Sequence, residues 1–124
     1  MEDLFIQGSK FTPTLDFKSN GELAIEGKAL IEDSRPLFIT VFDWLEKLNV
    51  PEINFDVNLE YFNTAVSKQL YELFARLDEN KNAETIKVNW HYEEGDEDNF
   101  ESGMLYNEKF ARIKFEFFVH AEMI

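Results

Sequence analysis

The sequence has no cysteine, little glycine and proline, and few basic residues. Without cysteine the chain can form no disulfide, thiolate metal site or thiol nucleophile. Its apolar runs fall short of the roughly 18 residues that a membrane-spanning helix needs, and the acidic start Met1-Glu2-Asp3 lacks the basic region of a secretory signal. These absences predict a soluble, cytoplasmic protein that does not bind a membrane.

Positive charge is scarce, because 12 lysine and arginine residues face 25 aspartate and glutamate residues and the formal net charge is −13. Long-range repulsion opposes the approach of such a chain to a nucleic-acid backbone or an anionic lipid surface. We therefore expect protein partners and no nucleic acid. The 44% hydrophobic content of the 124 residues can build one core, so residues 1–124 are predicted to form a single domain.

Motifs of the common enzyme classes are also missing. The sequence has no glycine-rich phosphate loop, no Gly-x-Ser-x-Gly elbow and no Cys/His nucleophile pair. The acidic run over residues 93–101 lacks the spaced oxygen ligands of an EF-hand loop. We expect neither a cofactor nor an enzymatic activity.

Strands are predicted where apolar and polar residues alternate. In the front part, two short runs around Leu15 and Ile25 flank Asn20-Gly21, a pair that favours a hairpin turn because both residues accept positive φ at little cost. Three further alternating runs cover residues 53–61, 86–92 and 113–120.

Helical periodicity occupies the segments between these strands. The first helix follows the cap candidates Asp33 and Ser34, the second follows the strand that ends near Tyr61, and the third starts in the acidic stretch 96–98. Their predicted core faces are Leu37, Val41, Leu45 and Leu48; Val66, Leu70, Leu73 and Leu77; and Phe100, Met104 and Leu105. Ile39 points away from the first of these faces, so it is either covered by the preceding segment or part of an exposed patch.

The strands keep a polar face almost throughout, whereas a sheet covered on both sides reads as continuous apolar runs. We therefore expect an α/β fold of two layers. One layer is a mixed β-sheet of about five strands with an N-terminal hairpin, and the other consists of three helices mainly on one face of the sheet.

The junction at Asn63-Thr64 joins an alternating strand directly to the second helix. Both residues are good N-caps, and most such pairs only satisfy the free N–H groups of the helix. With a rotation of about 100° per residue, Thr64 lies opposite the core face and heads a stripe with Lys68, Tyr71 and Ala75. A phosphate on Thr64 would change the charge of this stripe, since it adds about −1.5 to −2 charges.

Several segments in order along the chain resemble the SiaC family of bacterial regulatory phosphoproteins. They are Thr12-Pro13, Gly27, Phe42-Asp43-Trp44-Leu45, Leu59-Glu60-Tyr61-Phe62-Asn63-Thr64 with Ser67-Lys68, and Val88-Asn89-Trp90-His91-Tyr92-Glu93-Glu94 followed by Asp96 and Glu101. The resemblance covers nearly the whole chain and implies an architecture like that of the anti-sigma-factor antagonist (STAS) domains.

The resemblance also implies a function. A threonine of the family is phosphorylated by a partner kinase and restored by a PP2C-type phosphatase, and the unphosphorylated form binds and activates a diguanylate cyclase that promotes biofilm formation. By position, the phosphoacceptor in this chain is Thr64. Asn63 shapes the junction, and Ser67, Lys68 and Tyr71 belong to the partner-binding stripe.

The chain departs from the family where two serines usually follow the threonine, since it has Ala65 and Val66. It also has Ala29-Leu30-Ile31-Glu32-Asp33 in place of a Tyr-Pro-Glu-like segment. A constitutive scaffold without the switch is therefore one alternative. The other is a small metal- or ligand-binding domain or enzyme on the polar sheet face around His91 and His120, although two histidines without a third ligand are usually surface residues.

Overall fold

The structure, a computed structural model, describes residues 1–121. Along the chain the elements are β1 (Leu4–Ile6), β2 (Thr14–Phe17), β3 (Glu22–Ala29), α1 (Arg35–Glu46), β4 (Glu52–Phe62), α2 (Thr64–Asp78), β5 (Thr85–Glu93), α3 (Glu97–Lys109) and β6 (Ile113–His120). No helix within residues 1–121 is long and apolar enough to cross a membrane.

The strands form one six-stranded sheet in the order β1-β2-β3-β4-β5-β6. The three front strands pair antiparallel, and β3 to β6 pair parallel. The predicted mixed α/β fold is therefore confirmed, but the expected number of about five strands is wrong. The missed strand is β1, whose three residues are too few for a visible alternation and whose central Phe5 is exposed.

The hairpin between β2 and β3 turns at Gly21 as predicted. Its φ of +99° is a conformation that glycine adopts without strain. Asn20 stabilises the turn, because its side-chain oxygen accepts a 3.0 Å hydrogen bond from Glu22 N. This turn sets the register in which Leu15 lies opposite Ile25.

The core lies between one face of the sheet and the three helices. Apolar residues of the strands alternate with polar ones, so the opposite sheet face stays open, as the sequence predicts. Phe74 of α2 is fully buried and packs its ring against five other aromatic rings. They belong to Phe55, Trp90, Tyr106, Phe110 and Phe115.

The core faces of α1 and α2 agree with the periodicity, apart from Leu37, which is half-buried, and the additional buried Phe38 and Phe74. In α3 the prediction is partly wrong. Leu105 is 59% exposed, and the residues buried on this helix are Asn99, Gly103 and Tyr106. The acidic start of α3 is as predicted, because Asp96 caps the helix by accepting a 3.1 Å bond from Asn99 N.

Candidate functional site

The junction between β4 and α2 is fixed by Asn63, which is the N-cap of α2. Its backbone is extended (φ −85°, ψ 176°), and its side-chain Oδ1 accepts a 3.0 Å hydrogen bond from Val66 N. Of the two cap candidates, Asn63 is therefore the N-cap, and Thr64 is the first residue of the helix. The Thr64 side chain is left outside the cap.

Asn63 also ties the junction to the segment before α1. Its backbone N–H donates to Ala29 O over 3.2 Å, and its Nδ2 donates to Ile31 O over 2.9 Å. The register between β3 and β4 shifts at Gly27/Lys28, just before this contact. Asn63 thus holds the start of α2 and residues 29–31 together.

The two hydroxyls at the start of α2 differ in their surroundings. Thr64 is exposed, and its hydroxyl makes no hydrogen bond within residues 1–121. Ser67 is half-buried, its Oγ lies 2.9 Å from the Tyr106 hydroxyl, and that hydroxyl donates to Ser67 O over 2.8 Å. Burial raises the pKa of Tyr106 above its ordinary value, so it keeps its proton and can donate.

The stripe predicted on α2 is exposed only over its first half. Lys68 is exposed and Tyr71 is 46% exposed, with its ring 5.1 Å from Phe110. Ala75 packs against the core, and Ser67 turns towards α3. The exposed stripe therefore consists of Thr64, Lys68 and Tyr71.

Two exposed aliphatic side chains lie on the neighbouring helices. Ile39 of α1 is 57% exposed, so of the two alternatives for this residue the structure has the exposed one. Leu105 of α3 is exposed too. The helix layer thus exposes single apolar side chains on α1 and α3 in addition to Tyr71 of α2.

A shallow depression of about 520 Å³ lies between α2 and the segment before α1. Its lining residues are Glu32, Asp33, Ser34, Arg35, Ala65, Lys68 and Gln69. On the side before α1, Arg35 forms a fork with Asp33, with Nε 3.0 Å from Oδ1 and the terminal nitrogen 3.2 Å from Oδ2. These bonds lower the pKa of Asp33 and raise that of Arg35. Arg35 was not among the predicted site residues.

The two histidines meet on the open sheet face. His91 Nδ1 lies 2.7 Å from His120 Nε2, so one of these nitrogens donates and the other accepts. The other ring nitrogen of His91 lies 3.6 Å from Asp56 Oδ1. Among residues 1–121 no group of three or more histidine, aspartate or glutamate side chains is arranged to hold a metal ion.

His120 also borders an open cleft of about 640 Å³ at the carboxyl ends of β3, β4 and β5. Ligands of α/β sheets often bind at this end of the strands. Here, however, the cleft is lined by carboxylates of Glu26, Glu60, Glu93 and Asp96. With no lysine or arginine among its lining residues, it is unsuited to a phosphate-bearing ligand.

Comparison with known proteins identifies the relatives of this fold. Residues 6–120 match the model of the SiaC family regulatory phosphoproteins. The chain belongs to the SiaC family. A protein of Pseudomonas aeruginosa strain UCBPP-PA14, described only as uncharacterized, is 30% identical over 103 residues, which is 78% of this chain and 81% of the relative.

Solved structures of SiaC from Pseudomonas aeruginosa are similar over the whole fold. One has a TM-score of 0.85 at 26% identity and covers 97% of this chain and 100% of its own. Another is SiaC in complex with the diguanylate cyclase SiaD, which SiaC activates, with a TM-score of 0.84 at 26% identity over 95% of this chain and 100% of the other. The sequence-based prediction of a SiaC-type regulatory phosphoprotein is confirmed at the level of the family.

Proposed function

We propose that this SiaC-family protein is a phosphorylation switch in which Thr64 is the phosphoacceptor and the exposed stripe of α2 docks a protein partner. The supporting observation is the contrast between the two hydroxyls at the start of α2. The Thr64 side chain is open to an approaching kinase, while that of Ser67 is bonded to Tyr106. Within the helix start, Thr64 is therefore the hydroxyl to which a phosphate can be added without breaking an internal contact.

Phosphorylation would act on the docking surface itself. Lys68 lies four residues after Thr64 and so on the same side of the helix, and Tyr71 continues that side. A phosphate adds about −1.5 to −2 charges and its own bulk at the end of this stripe. A partner that docks on the unmodified stripe would then be repelled or redirected, whereas the fold tolerates the charge because free N–H groups and the positive end of the dipole lie at a helix start.

The partners follow from the family. A protein kinase would add the phosphate and a PP2C-type phosphatase would remove it, and the output would be a diguanylate cyclase, by analogy with the complex of the Pseudomonas relative. We infer that the protein acts by binding and not by catalysis, and that it works in the cytoplasm, where a kinase finds its nucleotide donor.

The test uses the protein with its kinase, its candidate cyclase and three variants. Intact-mass measurement after incubation with kinase and ATP should find one phosphate on the wild type and none on Thr64→Ala. In a binding titration with the cyclase, Thr64→Ala should bind like the unmodified wild type, and Thr64→Asp about tenfold more weakly, a difference of about 1.4 kcal/mol.

Asn49→Asp is the matched control, because it adds the same charge at an exposed position in the loop after α1, far from the start of α2. It should bind the cyclase like wild type. If Thr64→Ala is phosphorylated, the phosphoacceptor is another residue. If Thr64→Asp and wild type bind the cyclase equally, the proposed docking role of the stripe is wrong.

A further inference from the structure

The residues that would surround a phosphate on Thr64 come from two segments, the start of α2 and the segment before α1. Ala65, which follows Thr64, and Lys68 line the same depression as Asp33 and Arg35. The depression thus begins next to Thr64 and has two cations in its lining, Arg35 and Lys68. Arg35 is already occupied, because both of its fork contacts go to Asp33.

The pair between Arg35 and Asp33 is easily exchanged. Both side chains are exposed, and exposed ion pairs contribute little to stability because water and salt screen them. A phosphate is a stronger partner for a guanidinium than a carboxylate, since it carries up to twice the charge and three acceptor oxygens. In a direct competition for the Arg35 fork, the phosphate has the advantage.

The backbone beside Thr64 is held in place by hydrogen bonds, so the competition for Arg35 involves only side chains. Asn63 holds Ala29 and Ile31 by hydrogen bonds of 3.2 and 2.9 Å, and Leu30 N donates to Phe11 O over 2.8 Å. The segment 29–31 is thus fixed beside Thr64 whether or not the phosphate is present. What can move is the exposed Arg35 side chain.

We propose that a phosphate on Thr64 takes the Arg35 guanidinium away from Asp33, so that phosphorylation changes the charge pattern of the segment before α1 as well as that of α2. This inference rests on the proposed role of Thr64 and makes Arg35 a positioning residue of the switch. Phosphorylation then presents a partner with a phosphate neutralised in part by Arg35 and with Glu32 and Asp33 as unpaired acids beside it.

The test needs neither kinase nor partner, because phosphothreonine can be placed at position 64 by protein semisynthesis. In the phosphoprotein, ³¹P NMR follows the phosphate through its second ionisation, which lies near pH 6 for a free phosphothreonine. Pairing with Arg35 should give the wild type a phosphate pKa lower by about 0.5 than in Arg35→Gln, the size expected for one exposed charge about 5 Å away. Arg35→Lys should recover most of that difference.

Lys81→Gln is the matched control, because it removes one positive charge at an exposed position beyond the end of α2. Because this position lies more than one screening length from the phosphate, the substitution should leave the phosphate pKa as in wild type. All these variants change exposed side chains, so folding is retained and can be checked by circular dichroism.

A second readout reports Arg35 directly. The Nε–H resonance of Arg35 should titrate with the Asp33 carboxyl in the unmodified protein and with the phosphate, near pH 6, in the phosphoprotein. Equal phosphate pKa values in wild type and Arg35→Gln, or an Arg35 resonance that still follows Asp33 after phosphorylation, would overturn the proposal. A kinase that ignores Thr64 would instead contradict the proposed function and leave these two measurements unaffected.

Discussion

Replacing Asn63 with alanine should destabilise the fold by about 2 kcal/mol. The side chain accepts the 3.0 Å bond from Val66 N, and a side-chain N-cap is worth about 1 kcal/mol. It also donates to Ile31 O over 2.9 Å, and a hydrogen bond contributes about 1 kcal/mol net. In urea denaturation with a slope of about 2 kcal/mol/M, the loss of both lowers the midpoint by about 1 M.

Asn63→Ser separates the two contributions. Its hydroxyl can cap α2 but is too short to reach Ile31, so about half of the loss is expected. Thr64→Ala is the matched control, because it truncates the adjacent exposed side chain, and its effect should stay within about 0.5 kcal/mol. A serine midpoint equal to that of wild type would mean that the bond to Ile31 adds nothing, and equal midpoints for the serine and alanine variants would mean that the cap adds nothing. An unchanged midpoint for Asn63→Ala would contradict both contributions.

Three further predictions concern the packing of α3. Gly103→Ala would place a Cβ 2.8 Å from ring atoms of Trp90 and Phe117, so thermal unfolding should report a loss of about 1–3 kcal/mol despite the better helix propensity of alanine. Asn99→Leu leaves Trp90 Nε1 and Leu59 O without their 2.8 and 2.9 Å partners, and urea denaturation should report a loss of about 3 kcal/mol. Tyr106 has its pKa raised by burial, so the unfolded chain loses the phenolic proton first and stability falls as the pH rises above about 10. Unfolding free energies measured between about pH 9 and about pH 11 should show a smaller decline for Tyr106→Phe than for wild type.

The long amphipathic elements are predictable from the sequence because each buries a regular face. In β4 the apolar residues at every second position are all buried, from Ile53 to Leu59. In α2 the four predicted core residues are buried as well. Such patterns depend only on the period of the element and on one covered face, so no knowledge of the neighbouring elements is needed.

The face of α3 could not be predicted in this way. Its buried positions hold an amide, a glycine and a phenol, Asn99, Gly103 and Tyr106, and only the tyrosine counts as hydrophobic in a periodicity analysis. Asn99 is buried because it bonds Trp90 and Leu59, and Gly103 is needed because the rings of Trp90 and Phe117 approach its Cα. Both reasons are tertiary contacts, which a single sequence does not display.

The candidate site was predictable in its position but not in its connections. Helical phasing places Thr64 on the outside of α2, whereas the bonds from Asn63 to Ala29 and Ile31 join residues more than 30 positions apart. The turn of Ser67 towards Tyr106 is a contact over a separation of 39 residues. Contacts of this range depend on the register between β3 and β4 and on the placement of α3.

The two positions where the chain lacks the serines of the SiaC family differ in burial, so the two substitutions have different effects on the surface. Val66 is fully buried, and its backbone N–H is the one that Asn63 caps, so a valine there adds to the core and leaves the outer surface as it was. Ala65 is half-buried and lines the depression shared with Asp33, Arg35 and Lys68. The segment over residues 29–33, where the chain also departs from the family, contributes Glu32 and Asp33 to that depression. Both departures therefore change the surface beside Thr64, where the proposed phosphate and a docking partner would meet, while the proposed phosphoacceptor hydroxyl is kept.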